Sequence, residues 1–171
     1  MKRLLSLALM VLAALPIALP AGAAQADVEL LKSYVGEWRG RGTAMFAATG
    51  QNETVVCRMS VSDSDLTKVA IEGRCTLAGR TLAIAGTVAF VETANRYEAI
   101  MSSVASFQGV AIGQRRGSDI AFNLVDRNHE RGEHRIDADL SLRGSEIHLD
   151  FKITHVASGA STTARIPFVA Q

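Results

Sequence analysis

Few side chains in this 171-residue chain have chemistry of their own: 4 histidines, 2 cysteines and a scatter of carboxylates and arginines. His155 is in phase with Ile147, Leu149, Phe151 and Ile153, an alternation that turns it to the apolar side of a strand. An inward, neutral imidazole could ligate haem iron through one ring nitrogen while a carbonyl or carboxylate orients the other. At a strand end the same histidine also serves as a hydrogen-bonded rim residue. His134 shares this phase and both readings. The segment His129-Glu130-Arg131-Gly132-Glu133-His134 has zinc-ligand residue types but neither H-E-x-x-H nor H-x-x-E-H spacing. Gly132 assigns it to a hairpin turn with solvated charges, and no metal site is expected. Arg115-Arg116 could receive an anionic group, yet adjacent strand residues point to opposite faces. A solvated hairpin end is the simpler reading. No G-x-S-x-G elbow, P-loop or G-x-G-x-x-G fingerprint occurs, and no spacing sorts Ser, His and Asp into a triad. No catalytic residue is named, so an enzyme ranks behind a binding module and a structural domain.

Cys57 and Cys75 fall on neighbouring strands with the parity of the apolar face, and antiparallel pairing about a turn at 65–67 sets them opposite each other. Without C-x-x-C spacing or flanking histidines, they read as a structural disulfide rather than a redox or metal pair. Closing such a loop constrains the unfolded chain by about 3 kcal/mol. A disulfide requires an oxidising compartment, and the N-terminus supplies the address. Lys2 and Arg3 precede an apolar run from Leu4 to Leu15, Pro16 and Pro20 break it, and Ala24-Gln25-Ala26 is a small-x-small cleavage site. Residues 1–26 therefore read as a signal peptide, and the protein is expected to be periplasmic or extracellular. The apolar run is shorter than the roughly 20 residues a bilayer requires, so no transmembrane anchor is expected.

Residues 27–171 suffice for a single domain. The chain is 48% hydrophobic and 20% charged with a formal net charge of +1, which excludes a strongly basic nucleic-acid binder. Asp27 is placed to cap a short helix whose apolar face is Val28, Leu30, Leu31 and Tyr34, with Gly36 ending it. Strand alternation then takes over. Ser62-Asp63-Ser64-Asp65 reads as a turn cluster, and Gly86 as a bend or bulge inside a strand. About nine or ten strands with short connections predict an all-β, antiparallel up-and-down barrel, because closure removes exposed edges. A two-layer β-sandwich is the alternative.

The only tryptophan lies in Gly36-Glu37-Trp38-Arg39-Gly40-Arg41-Gly42, directly after the helix. This G-x-W-x-G-x-G opening resembles that of calycin-type barrels (lipocalins, fatty-acid-binding proteins and nitrobindin-like proteins), the last group most of all. The resemblance implies a barrel holding an apolar ligand or haem, with Trp38 plugging one end. In lipocalins a basic side chain of the final strand packs across that tryptophan, and Arg165 is the candidate here. The leader and the disulfide depart from the nitrobindin-like pattern, and no residue matches that group's haem-ligating histidine. Met59, Met101, Phe107, Phe122, Phe151 and His155 are the expected lumen residues, with small inward residues (Ala99, Gly109, Ala111, Ala138) leaving space between them. The expected function is an exported barrel carrying a small apolar molecule. Its competitor is a structural or envelope-interaction domain in which the small residues only accommodate larger neighbours.

Overall fold

The computed structural model describes residues 21–103, 108–126 and 134–171. Most of the expected leader, Phe107 and the segment from His129 to Glu133 lie outside the described residues.

Helix α1 (Ala21–Lys32) leads into ten strands: β1 (Gly36–Phe46), β2 (Gln51–Asp65), β3 (Lys68–Leu77), β4 (Arg80–Val91), β5 (Arg96–Ser103), β6 (Gln108–Arg116), β7 (Asp119–Asp126), β8 (His134–Arg143), β9 (Glu146–His155) and β10 (Ser161–Ala170). Each strand pairs antiparallel with the next, and β1 pairs with β10 to close the barrel. The sandwich alternative is excluded. Alternation drives the closure: Val55, Cys57 and Val61 are buried while their chain neighbours Thr54, Arg58 and Ser62 are exposed.

Several local expectations are corrected. Asp27 does not cap α1; it lies within the helix, 8% exposed, because barrel residues offer its carboxylate better partners than the helix terminus would. The helix ends at Lys32 rather than Gly36. The lysine ammonium bonds Asp63 and the carbonyls of Asp65 and Lys68, tying the helix C-terminus to the β2–β3 hairpin. Ser62 to Asp65 continue β2, and the irregularity falls between Asp63 and Asp65. Gly86 makes no bulge, since β4 keeps continuous register with β3. A Cβ there would collide with the Met101 thioether, so the glycine makes room for a side chain.

The barrel has two unlike ends. At one, Leu31 of α1 and Tyr34 of the turn after it belong to a cluster with Trp38, Val61, Val69, Phe90, Tyr97 and Phe168. At the other, the connections 47–50, 78–79 and 156–160 join strands whose inward residues Phe46, Leu77, Leu82, Phe151 and Ile153 are only partly buried. The Cys57–Cys75 disulfide joins β2 to β3 at direct register partners, as their parity predicted.

Candidate functional site

The middle of the lumen is incompletely filled, and the inward sequence explains why. Where β1 and β6 present Gly40 and Gly113, neighbouring rings take up the room: a Cβ would lie 2.7 Å from the Phe168 ring at the first and 2.5 Å from the Phe122 ring at the second. Gly73, Ala99, Ala111 and Ala138 receive no such compensation. They line a cavity of about 90 Å³ with Met59, Met101, Phe122, Leu140, Leu149 and the disulfide. Its walls are almost wholly apolar. Met59, Met101 and Phe122 thus come together in the lining of one cavity.

One inward step toward the uncapped end come Leu77, Leu82 and Phe151, on β3, β4 and β9 respectively. With Phe46, Ile153 and His155 they surround a mouth depression of about 430 Å³, and no residue lining it also lines the inner cavity. Phe151 therefore sits at the boundary of the two spaces rather than on the inner one. His155 belongs to the rim, opposite His134 in register. Its Nδ1 lies 3.0 Å from Ser158 Oγ and accepts a bond from the Ser158 backbone N–H. The rim reading of His155 fits these contacts.

Polar side chains gather at the helix end. The Asp27 carboxylate accepts bonds from the Arg115 guanidinium at 3.0 Å and from the Tyr97 hydroxyl at 3.0 Å, and that hydroxyl also donates to the Asp27 carbonyl at 2.9 Å. Burial, then the bond and charge of Asp27, push the Tyr97 phenol well above its ordinary value. Burial raises Tyr34 too, helped by the charge of Asp119. The Tyr34 hydroxyl is buried with no hydrogen-bond partner among the described residues. Sequence reasoning missed this network. The sequence places Arg115 at a solvated hairpin end, and 42% of its side chain is exposed there, yet β6 continues through Arg116 and parity with Ala111 and Gly113 lets its guanidinium reach Asp27. Counting alternation two residues further would have found it.

Trp38 is 5% exposed, its indole N–H donating to the Tyr34 carbonyl at 3.0 Å and its ring lying 6.2 Å from that of Tyr34. Its expected partner is not there. Arg165 faces outward, 82% of its side chain exposed, and its Nε bonds Asp150 on β9 at 2.7 Å. Parity decides this: Ala164 and Ile166 are the inward residues of β10, and Arg165 stands opposite Thr43, not Trp38. Tyr34, in the turn that follows α1, packs against the indole instead. Among the described residues no cluster of His, Cys, Asp and Glu is arranged to hold a metal. Nor is any helix there long and apolar enough to cross a membrane.

No protein-family model and no curated protein matches the chain. Solved structures do. Rv2717c from M. tuberculosis is similar over 85% of this chain and 97% of its own, with TM-score 0.66 and 14% identity. The S-type phycobiliprotein lyase CPES from Guillardia theta is similar over 84% of this chain and 91% of its own, with TM-score 0.60 and 9% identity. At such identities the likeness is one of fold, and a closed ten-stranded barrel fits the calycin-like architecture.

Proposed function

We propose that this protein is an exported carrier or sensor of a small apolar molecule, held in the barrel lumen. The observation that carries the reading is the inner cavity. A void lined by Gly73, Ala99, Ala111 and Ala138 forfeits packing that larger residues would supply, while neighbouring glycines are filled by rings. Its volume of about 90 Å³ is of the order of the ~150 Å³ engineered apolar cavity that stays dry and takes benzene. It therefore suits a benzene-sized or branched aliphatic group, with the mouth holding the remainder of a longer molecule. Met59 and Met101 supply soft, adaptable walls, which favours breadth over strict selectivity. The lyase similarity adds a barrel of the same fold named for a phycobiliprotein. Haem does not fit this inner site: the space is far smaller than a tetrapyrrole, and His155 lies outside its lining.

Export rests on residues 1–26 and on the disulfide. Cleavage after Ala26 leaves Asp27 as the first residue, so the contacts to Tyr97 and Arg115 survive processing. N-terminal sequencing of the protein from periplasm or medium should therefore begin at Asp27; an unprocessed cytoplasmic chain would remove export from the reading.

The carrier reading is tested with N-phenyl-1-naphthylamine and a series of short-chain alkylbenzenes, followed by fluorescence and thermal shift. The wild type should bind them. Ala138→Leu, which places a larger side chain in the void, should weaken binding at least tenfold and leave Tm unchanged or raised. Equal binding by both proteins, or none by the wild type, would sink the proposal and favour the structural domain.

A further inference from the structure

The outer wall carries a row of cations, two of which, Arg58 and Arg74, also border the inner cavity. Arg39 on β1 is the direct register partner of Arg58 on β2, and Arg58 is the direct partner of Arg74 on β3. Their chain neighbours Trp38, Cys57 and Cys75 are buried inside, so all three arginines leave the outer face, and all three are exposed. Neighbouring strands lie ~4.8 Å apart, so three permanent cations are rooted in a row ~10 Å long. Like charges directly opposite each other destabilise a sheet. Among the described residues none of the three makes an ion pair or a side-chain hydrogen bond.

The nearest carboxylates on this face do not pair with the row. Glu37 and Glu72 stand one row away, either side of Ser60, and the Ser60 hydroxyl already donates to Glu37 at 2.7 Å. Arg41 adds a fourth cation on the opposite flank of β1. Beside Arg58 and Arg74 the wall dips into a trough of about 780 Å³, floored by Ala83 and Ala85, bordered on one side by the hydroxyl-bearing Thr76 and Thr81 and on the other by Glu37, Ser60 and Glu72, with Arg39 outside it. Small residues on β4 leave room for the guanidinium heads to lean over the trough. Planar guanidinium forks match a tetrahedral oxyanion with paired N–H donors, which lysines would not do.

We propose that the Arg39–Arg58–Arg74 row and its trough form an oxyanion site that takes a phosphate group, either free phosphate or the phosphate of a lipid headgroup. Three adjacent cations match a dianion; one arginine would suffice for a monocarboxylate. Binding removes the mutual repulsion of the row, so occupancy raises the stability of the barrel.

The test is thermal unfolding of the full mature chain in dilute buffer, with inorganic phosphate against sodium chloride at equal ionic strength. Phosphate should raise Tm by about 3 °C or more beyond chloride once it exceeds its dissociation constant tenfold. Arg58→Gln should abolish that difference while unfolding no lower than wild type without phosphate, since it deletes the central charge. Arg58→Lys should recover only part of the response. Flotation with phosphatidylcholine vesicles, with and without phosphatidic acid, separates the sources. Phosphatidic-acid-dependent flotation that Arg58→Gln removes assigns the headgroup; no flotation with a retained phosphate response assigns free phosphate. Equal stabilisation by chloride and phosphate, or a phosphate response unchanged in Arg58→Gln, overturns the site.

Discussion

The two ends of the barrel are built from the same alternating strands and differ in what those strands point inward. At the helix end Trp38, Phe90, Tyr97 and Phe168 interlock with Leu31 and Tyr34, and an ionic network holds α1 in place. Toward the mouth the inward residues other than Phe46 and Phe151 are aliphatic or small, burial falls, and two spaces open. Packing density sets stability, while a void lined by apolar atoms gives up contacts that a ligand can restore. One end thus closes the tube and the other is left able to receive something.

The contrast breaks most directly at its two boundary aromatics. Trp38→Ala should cost about 3–5 kcal/mol and lower Tm on the order of 10 °C, because it leaves a hole beneath Tyr34 in a cluster that cannot collapse. Phe151→Ala removes a half-buried ring between mouth and cavity and should cost about 1–2 kcal/mol. It should also speed uptake of apolar probes severalfold in stopped flow. Equal costs in denaturant titrations would erase the distinction between plug and mouth.

The plug was more legible in the sequence than the cavity. Trp38, a strict alternation and turn residues at regular intervals favour a barrel and leave a sandwich open until β1 is seen to pair with β10, while parity sets Cys57 opposite Cys75. Parity also rejects Arg165 as the partner of Trp38, and here the family resemblance misled where counting along β10 would have corrected it. The cavity is a different kind of quantity. Gly40 and Gly73 look alike in the sequence; one is filled by Phe168 and the other lines a void, because filling depends on which rotamers reach across the barrel from distant strands. The Asp27–Arg115 pair spans 88 residues, and nothing local to α1 marks its carboxylate as buried.

The disulfide lies between the two regions, in the cavity wall. With its ends 18 positions apart in the sequence, reducing it should cost about 3 kcal/mol through restored freedom of the unfolded chain. Register on both sides of the staple is continuous through Cys57 and Cys75, so the reduced protein should still fold. Under dithiothreitol the unfolding midpoint should fall while the far-ultraviolet circular dichroism stays that of a barrel. Loss of the β signal on reduction would mean that the staple, rather than the aromatic plug, holds the tube closed.

The smallest expected effect concerns pH and belongs to the plug alone. Tyr97 has a folded-state pKa raised above the ordinary 10.0, by burial first and then by the Asp27 bond and charge, while Arg115 opposes the shift weakly. Below pH 10 the phenol is neutral in folded and unfolded chains alike, and its stabilising contribution is whole. Above pH 10 the unfolded chain releases the proton while the folded chain holds it. Stability should then fall by up to about 1.4 kcal/mol per pH unit for this group. Tyr97→Phe should cost about 1 kcal/mol at neutral pH, by deleting the hydroxyl's bond to Asp27. It should also flatten the alkaline decline, with a residual slope from the similarly raised Tyr34. Hydrogen exchange followed across pH 9–11 localises the event: amides of β5 beside Tyr97 should lose protection while those of β9 beyond Phe151 change little. A decline equally steep in Tyr97→Phe, or protection lost first at the mouth, would move the alkaline-sensitive element away from the helix plug.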